Sequence, residues 1–216
     1  MNGTDAAAVT HLYLVRHGAT AANEREPPTL QGDGVDLPLN ANGLRQAECA
    51  ARLLAGVDVR QVYSSPLQRA LQTAQAIAVP HGLTPRTDPM FREANVGEWE
   101  GLDWGTVERR DPQAHARFME DPGRHPYLGG ESYGDVWRRA QPAWETLLRR
   151  HAGEHIVLVA HNVVNRVLLA GLLGVELKRA KSIPQGNGCV NLVQGNAGRA
   201  TLVTLNSLFH LVLCRS

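Results

Sequence analysis

Two runs of apolar, β-forming residues each stop abruptly at a histidine, and this repeated pattern constrains the fold more than any other feature of the chain. His11-Leu12-Tyr13-Leu14-Val15 leads into Arg16-His17-Gly18-Ala19-Thr20 and a Thr/Asn-rich turn. His155-Ile156-Val157-Leu158-Val159-Ala160 leads into His161-Asn162 and a helical stretch over residues 163–173. Uninterrupted apolar strands belong in the interior of a parallel sheet. Open sheets of that kind bind ligands at the carboxyl edge of their strands, so both histidines fall where a site is built. Arg16 adds a planar fork suited to a phosphate or carboxylate, and His17 adds a nitrogen nucleophile or base. Gly18 allows close approach of the backbone. A histidine after a core strand is more often structural, so Arg-His-Gly alone decides nothing.

With 216 residues the chain suffices for one well-buried domain. Its net charge of +1 gives no sign of a nucleic-acid-binding protein. Residues 1–10 are small and polar, with no signal-peptide pattern, and read as a flexible N-terminus before a domain over 11–216. The longest apolar region, 156–177, is interrupted by His161, Asn162, Asn165 and Arg166, which argues against a membrane span. Cys49, Cys189 and Cys214 are odd in number and lack ligand spacing, consistent with a reducing compartment, no disulfide framework and a cytoplasmic protein.

Along the chain, residues 21–40 read as a long irregular loop, either a lid over the site or a passive surface excursion. Asn23 lies within it, with two readings: a phosphate contact or the closing of a turn. Residues 41–55 carry Leu44, Ala47, Ala51 and Leu54 at helical spacing. A strand over 61–64 follows, and then Ser65 and Pro66 as expected N-cap and first residue of a helix. Arg69 lies in that helix's first turn, beside N–H groups that favour an anion. Three carboxylates crowd the loop Glu93-Ala94-Asn95-Val96-Gly97-Glu98-Trp99-Glu100. Residues 102–130 read as a small helical insertion covering the site, rich in arginine and histidine. A long helix over 133–151 and strands over 189–193 and 200–205 complete an α/β pattern. Trp99, Trp104, Phe118 and Tyr127 are expected to pack in the core, with stacking on a substrate ring as the other reading.

Arg16-His17-Gly18-Ala19-Thr20, the stretch from Tyr63 through Ser65-Pro66 and Arg69 to Thr73, the Glu93 to Gly101 loop and His161 after its strand occur in one order. In that order they resemble the histidine phosphatase superfamily, which includes the cofactor-dependent phosphoglycerate mutases and many small phosphatases. The resemblance implies an α/β fold: a three-layer α/β/α sandwich with a mostly parallel central sheet and a small helical insertion. It further implies that His17 is phosphorylated, that Arg16, Arg69 and His161 hold the phosphoryl oxygens, and that Glu93 is the proton donor. Asn23 would add a phosphate contact, and Thr20 and Asn162 contacts to the substrate. Two departures stand out. Asn162 occupies a position usually held by glycine, and the loop over 30–39 is longer than the common form.

The expected activity is metal-independent hydrolysis of a small phosphomonoester through a phosphohistidine, with no cofactor, no nucleic-acid or membrane partner, and a homodimer compatible with it. Arg16 and Arg69 would repel a bound cation, and no Gly-x-Ser-x-Gly turn or P-loop is present. A phosphoglycerate mutase is the alternative. The compact stretch between Glu93 and His161 argues for a phosphatase, because family mutases carry a longer insertion there. A catalytically silent phosphate-binding module is a further alternative, disfavoured because the full motif set is present. Candidate substrates include phosphoserine, phosphoglycerate, a sugar phosphate and a ribazole phosphate.

Overall fold

The computed structural model describes residues 9–196 and 199–214; residues 1–8 and 215–216, which the sequence reading assigned to the two tails, lie outside these. Six strands form one sheet: β1 (Thr10–Arg16), β2 (Val59–Ser64), β3 (Arg86–Thr87), β4 (His155–Ala160), β5 (Val190–Asn196) and β6 (Arg199–Ser207). Their spatial order is β3-β2-β4-β1-β5-β6. The first four run parallel, whereas β5 is antiparallel to both β1 and β6. The sheet is therefore mostly parallel, with an antiparallel edge.

Side chains alternate across each strand with a period of two, which divides the core into two faces. Leu12, Leu14, Ile156 and Leu158 pack beneath α5 (Tyr133–Arg150) and α6 (Asn162–Leu173). Val15, Val62, Val157 and Val159 pack beneath α1 (Ala41–Leu54) and α2 (Gln68–Ala78). The result is the expected three-layer sandwich. The helices begin where side chains satisfy their free N–H groups. Asn40 Oδ1 accepts from Gly43 N at 2.8 Å, and Ser132 and Asp135 form a reciprocal capping box at the start of α5. The insertion holds α3 (Trp104–Arg110) and α4 (Pro112–Glu120). Trp99 and Phe118 are fully buried and Tyr127 nearly so, as a core-packing role requires, while Trp104 stays half-buried and stacks on Phe118.

Several expectations need correction. Helix α2 starts at Gln68, because the Ser65 N–H still bonds Val159 O and so continues the strand. Ser65 Oγ instead accepts from Leu67 N, and Asp36 from the 21–40 loop accepts from Gln68 N at 2.7 Å, capping the helix from a distance. Leu44 points to solvent, and Gly43, Ala47, Ala50 and Leu54 form the buried face of α1. Thr10, expected in a flexible tail, is a fully buried strand residue whose hydroxyl donates to Leu148 O and His151 O. Cys49 and Cys214 are paired as a disulfide that ties α7 (Phe209–Leu213) to α1. A separation of 165 residues hides such a pairing from any spacing rule. Cys189 is a buried free thiol.

Gly18 and Gly43 lie in mutual contact, so that the turn after β1 sits directly on the first turn of α1. A Cβ on Gly43 would fall against the Ala19 carbonyl oxygen, and one on Gly18 against the Gly43 carbonyl oxygen, both far inside contact distance. Gly18 thus serves helix–loop packing. Substituting Gly43→Ala is expected to cost about 2 kcal/mol and to lower Tm by roughly 4–8 °C, as overpacking of a tight contact does in a chain of this size. Thermal denaturation followed by circular dichroism checks this; an unchanged Tm would mean the contact relaxes freely.

Candidate active site

The site lies at the carboxyl edge of the parallel strands. β1 and β4 pair in register with Arg16 opposite Ala160, and the His17 N–H extends the ladder to Ala160 O at 3.1 Å. His17 and His161 therefore emerge side by side, with ring centroids 5.1 Å apart. His17 Nδ1 lies 2.7 Å from Gly18 O. A carbonyl only accepts, so Nδ1 carries the proton and Nε2 keeps its lone pair. The backbone of this turn is fixed from behind. Gly188 N bonds the carbonyls of Arg16 and His17, Gly18 N bonds Thr73 Oγ1, and Ala19 N bonds Gln46 Oε1.

Burial holds the His17 pKa well below its ordinary value, and Arg69 and Arg16 push it further down. His161 is held well below for the same reasons, with His17 contributing. Both rings are therefore neutral near pH 7. Neither ring nitrogen of His161 has a hydrogen-bond partner among the described residues. Burial also lowers Arg16, to about 10, and it lowers Arg69.

Arg16 donates to Gln185 O at 2.6 Å. Arg69 is almost completely buried, and its guanidinium donates to Gly32 O at 2.8 Å and Val35 O at 3.2 Å. The 21–40 loop thus builds the site from behind as well as from in front: Pro28, Thr29, Leu30 and Gln31 form one wall of the cavity. Glu100 anchors that loop by accepting from Gly32 N at 2.7 Å.

Glu93 is buried, and its carboxylate accepts from Val163 N at 3.2 and 3.3 Å and from Ala94 N at 2.9 Å. An acid at the start of α6 suits the partial positive charge there. The backbone around Glu93 is clamped by Arg139, which donates to Met90 O and Glu93 O and pairs with Glu131 through Nε at 2.8 Å. Glu131 in turn accepts from Asn95 N.

Arg16, His17, Asn23, Glu93 and Asn162 line one cavity of about 600 Å³, whereas His161, beside His17, and Arg69 are buried and are not among its lining residues. Asn23 also closes the turn, since its Oδ1 accepts from Thr20 N and from Asn187 Nδ2. Thr20 is fully buried, with its hydroxyl donating to Asn23 and Gln31, and does not line the cavity. Arg166, Lys181, His115 and Asn187 also line it; of these the sequence singles out only His115, as one of the basic residues of the insertion covering the site. The spacing of four from Asn162 placed Arg166 on the same helix face and was a usable signal. Lys181 gave none, because only the path of the segment after α6 brings it back to the site.

The depressed histidines make a pH prediction. Below about 6.5 the unfolded chain protonates both rings while the folded chain does not, so stability falls as the pH drops from 6.5 toward the lowered folded pKa values. The expected slope is up to about 1.4 kcal/mol per pH unit for each ring. Urea unfolding of wild type and His161→Gln across this range checks it: the variant should show the shallower fall, and equal slopes would contradict neutral, buried rings.

Among known proteins, residues 12–208 match the family model described as the histidine phosphatase superfamily, branch 1. The chain is 30% identical over 200 residues to phosphoserine phosphatase 1 of Hydrogenobacter thermophilus, covering 93% of each protein. Bacillus stearothermophilus YhfR superposes with a TM-score of 0.85 at 30% identity, over 94% of this chain and 99% of that one. Mycobacterial glucosyl-3-phosphoglycerate phosphatase Rv2419c superposes with a TM-score of 0.79 at 29% identity, over 91% and 98%. The match across nearly all described strands and helices, with His17 and His161 adjacent at the sheet edge, makes this chain a member of the histidine phosphatase superfamily.

Proposed function

We propose that the protein is a phosphomonoesterase that hydrolyses small phosphorylated metabolites through a phosphohistidine at His17, without a metal. The observation that carries this reading is a neutral, oriented imidazole: Nδ1–H is held by Gly18 O, Nε2 is free, and two guanidiniums lie close by. Relatives described as phosphatases support the reaction class.

A phosphomonoester dianion repels nucleophiles until its equatorial oxygens are neutralised. Arg16, Arg69 and the N-terminus of α6 supply that charge. The unpartnered nitrogens of His161 suit a donor to the same oxygens once substrate charge favours its protonation. His17 Nε2 then forms the N–P bond as the P–O bond to the leaving group breaks, and Glu93 in its acid form protonates the departing oxygen. In the second step water attacks phosphorus and the N–P bond electrons return to Nε2. The Glu93 carboxylate takes the water proton. The products are an alcohol and inorganic phosphate. Asn23 and Asn162 contact the bound ester from the cavity wall, whereas the buried Thr20 acts only by holding Asn23 and Gln31. A mutase would need the phosphoryl group shielded from water and returned to a second hydroxyl; the relatives described as phosphatases favour hydrolysis instead. Small phosphorylated metabolites of this kind point to the cytoplasm as the setting. Among the described residues no helix is long and apolar enough to cross a membrane.

Glu93→Gln separates the steps by leaving group. Alkyl esters need their oxygen protonated, while p-nitrophenolate departs unaided. The substitution should slow alkyl phosphate hydrolysis by about 10²–10⁴-fold and p-nitrophenyl phosphate cleavage much less. The contrast is read in kcat/KM on both substrates, which reports phosphorylation of His17 and not the later hydrolysis in which Glu93 is the base. Equal losses would remove Glu93 from the role of acid.

A further inference from the structure

We propose that Arg166 and Lys181 form a second anion subsite in the cavity wall, so that the preferred substrates are phosphomonoesters bearing a second anionic group, either a carboxylate or another phosphate. This rests on the phosphomonoesterase reading and deepens it. The charges of the cavity are unbalanced: Arg16, Arg166 and Lys181 all line it, and the only carboxylate lining it among the described residues is Glu93. Arg16 and Arg69 suffice for the phosphoryl group that is transferred. Arg166 and Lys181 have no such assignment, and neither makes an ion pair with a described residue.

Both cations are held in place by groups that leave their charge uncompensated. Arg166 extends from α6, with its Nε donating to Ile183 O at 2.9 Å. Its remaining N–H groups can present a planar fork to an anion. Lys181 Nζ sits 4.3 Å from the centre of the Phe118 ring, 4.8 Å from that of Trp104 and 3.0 Å from Met119 Sδ. Aromatic faces attract an ammonium without neutralising it. Burial, and then the neighbouring Arg166, lower the Lys181 pKa to about 8, as expected of a cation without an anionic partner. An arriving carboxylate or phosphate relieves that penalty at Lys181. The platform for Lys181 comes from the helical insertion, so the insertion takes part in selecting substrate through its aromatic rings rather than through its own arginines.

The test compares kcat/KM of the full-length protein within two matched pairs. Three-carbon 3-phosphoglycerate and glycerol 1-phosphate differ by a carboxylate, and fructose 1,6-bisphosphate and fructose 6-phosphate differ by a phosphate. Wild type should favour the more anionic member of at least one pair by about tenfold or more, and the pair that responds identifies which anion the subsite takes. In Lys181→Met and Arg166→Met that ratio should collapse toward unity. Lys181→Glu should reverse the preference toward phosphoethanolamine, a change that misfolding or loosened packing cannot produce. Ratios near unity for both pairs in wild type, or equal losses on every substrate in the variants, would overturn the subsite and leave a solvated basic wall. If no ester, p-nitrophenyl phosphate included, is hydrolysed, the phosphatase reading fails. Titration calorimetry of the same pairs then decides the subsite: tighter binding of the more anionic member, lost in Lys181→Met, supports it, and equal affinities overturn it.

Discussion

The parallel pairing of β1 with β4 is the interaction on which the rest depends. Its register sets Arg16 opposite Ala160, so the next residue on each strand, His17 and His161, leaves the sheet at the same level. A slip of one residue would move every side chain of β1 to the other face and turn His17 away from its partner. What fixes the register is burial on both faces: Leu12, Leu14, Ile156 and Leu158 belong to one core, and Val15, Val157 and Val159 to the other. The chemistry at the edge therefore inherits its precision from packing several residues below it.

Burial then sets the electrostatics. The site gathers guanidiniums where water is scarce, and the protein tolerates them chiefly through backbone carbonyls: Gln185 for Arg16, Gly32 and Val35 for Arg69, whose one ion pair is a long one of 3.9 Å to Asp36, and Ile183 for Arg166. Carbonyls accept hydrogen bonds without cancelling charge, so the positive potential is preserved for an anion. Burial, reinforced by the same potential, keeps His17 and His161 neutral. A neutral imidazole is the form that can attack phosphorus, and a cationic wall is the form that tolerates a dianion. One arrangement of charge supplies both.

Much of this was legible in the sequence, because the strands are continuous apolar runs and the motifs follow each at its carboxyl end. The mostly parallel sheet, the helical layers and the grouping of Arg16, His17, Arg69, Glu93 and His161 followed from local pattern and from resemblance. What escaped were contacts between distant segments. Asp36 caps α2 from a loop that carries no periodicity, so Ser65 was the natural but incorrect choice. The Cys49–Cys214 pairing and the return of Lys181 to the cavity depend on where chain ends and turns meet in space. Thr20 was expected to touch substrate, yet its hydroxyl is used inside the loop. Short polar side chains in a turn satisfy their own backbone as readily as a ligand.

The most direct test of the central claim is to trap the covalent intermediate. Rapid quenching of wild type with a radiolabelled phosphomonoester, followed by peptide mapping, should recover an acid-labile, alkali-stable phosphoryl group on the peptide containing His17, formed faster than steady-state turnover. Label on any other residue, or hydrolysis at full rate with no labelled protein at any quench time, would contradict nucleophilic catalysis by His17.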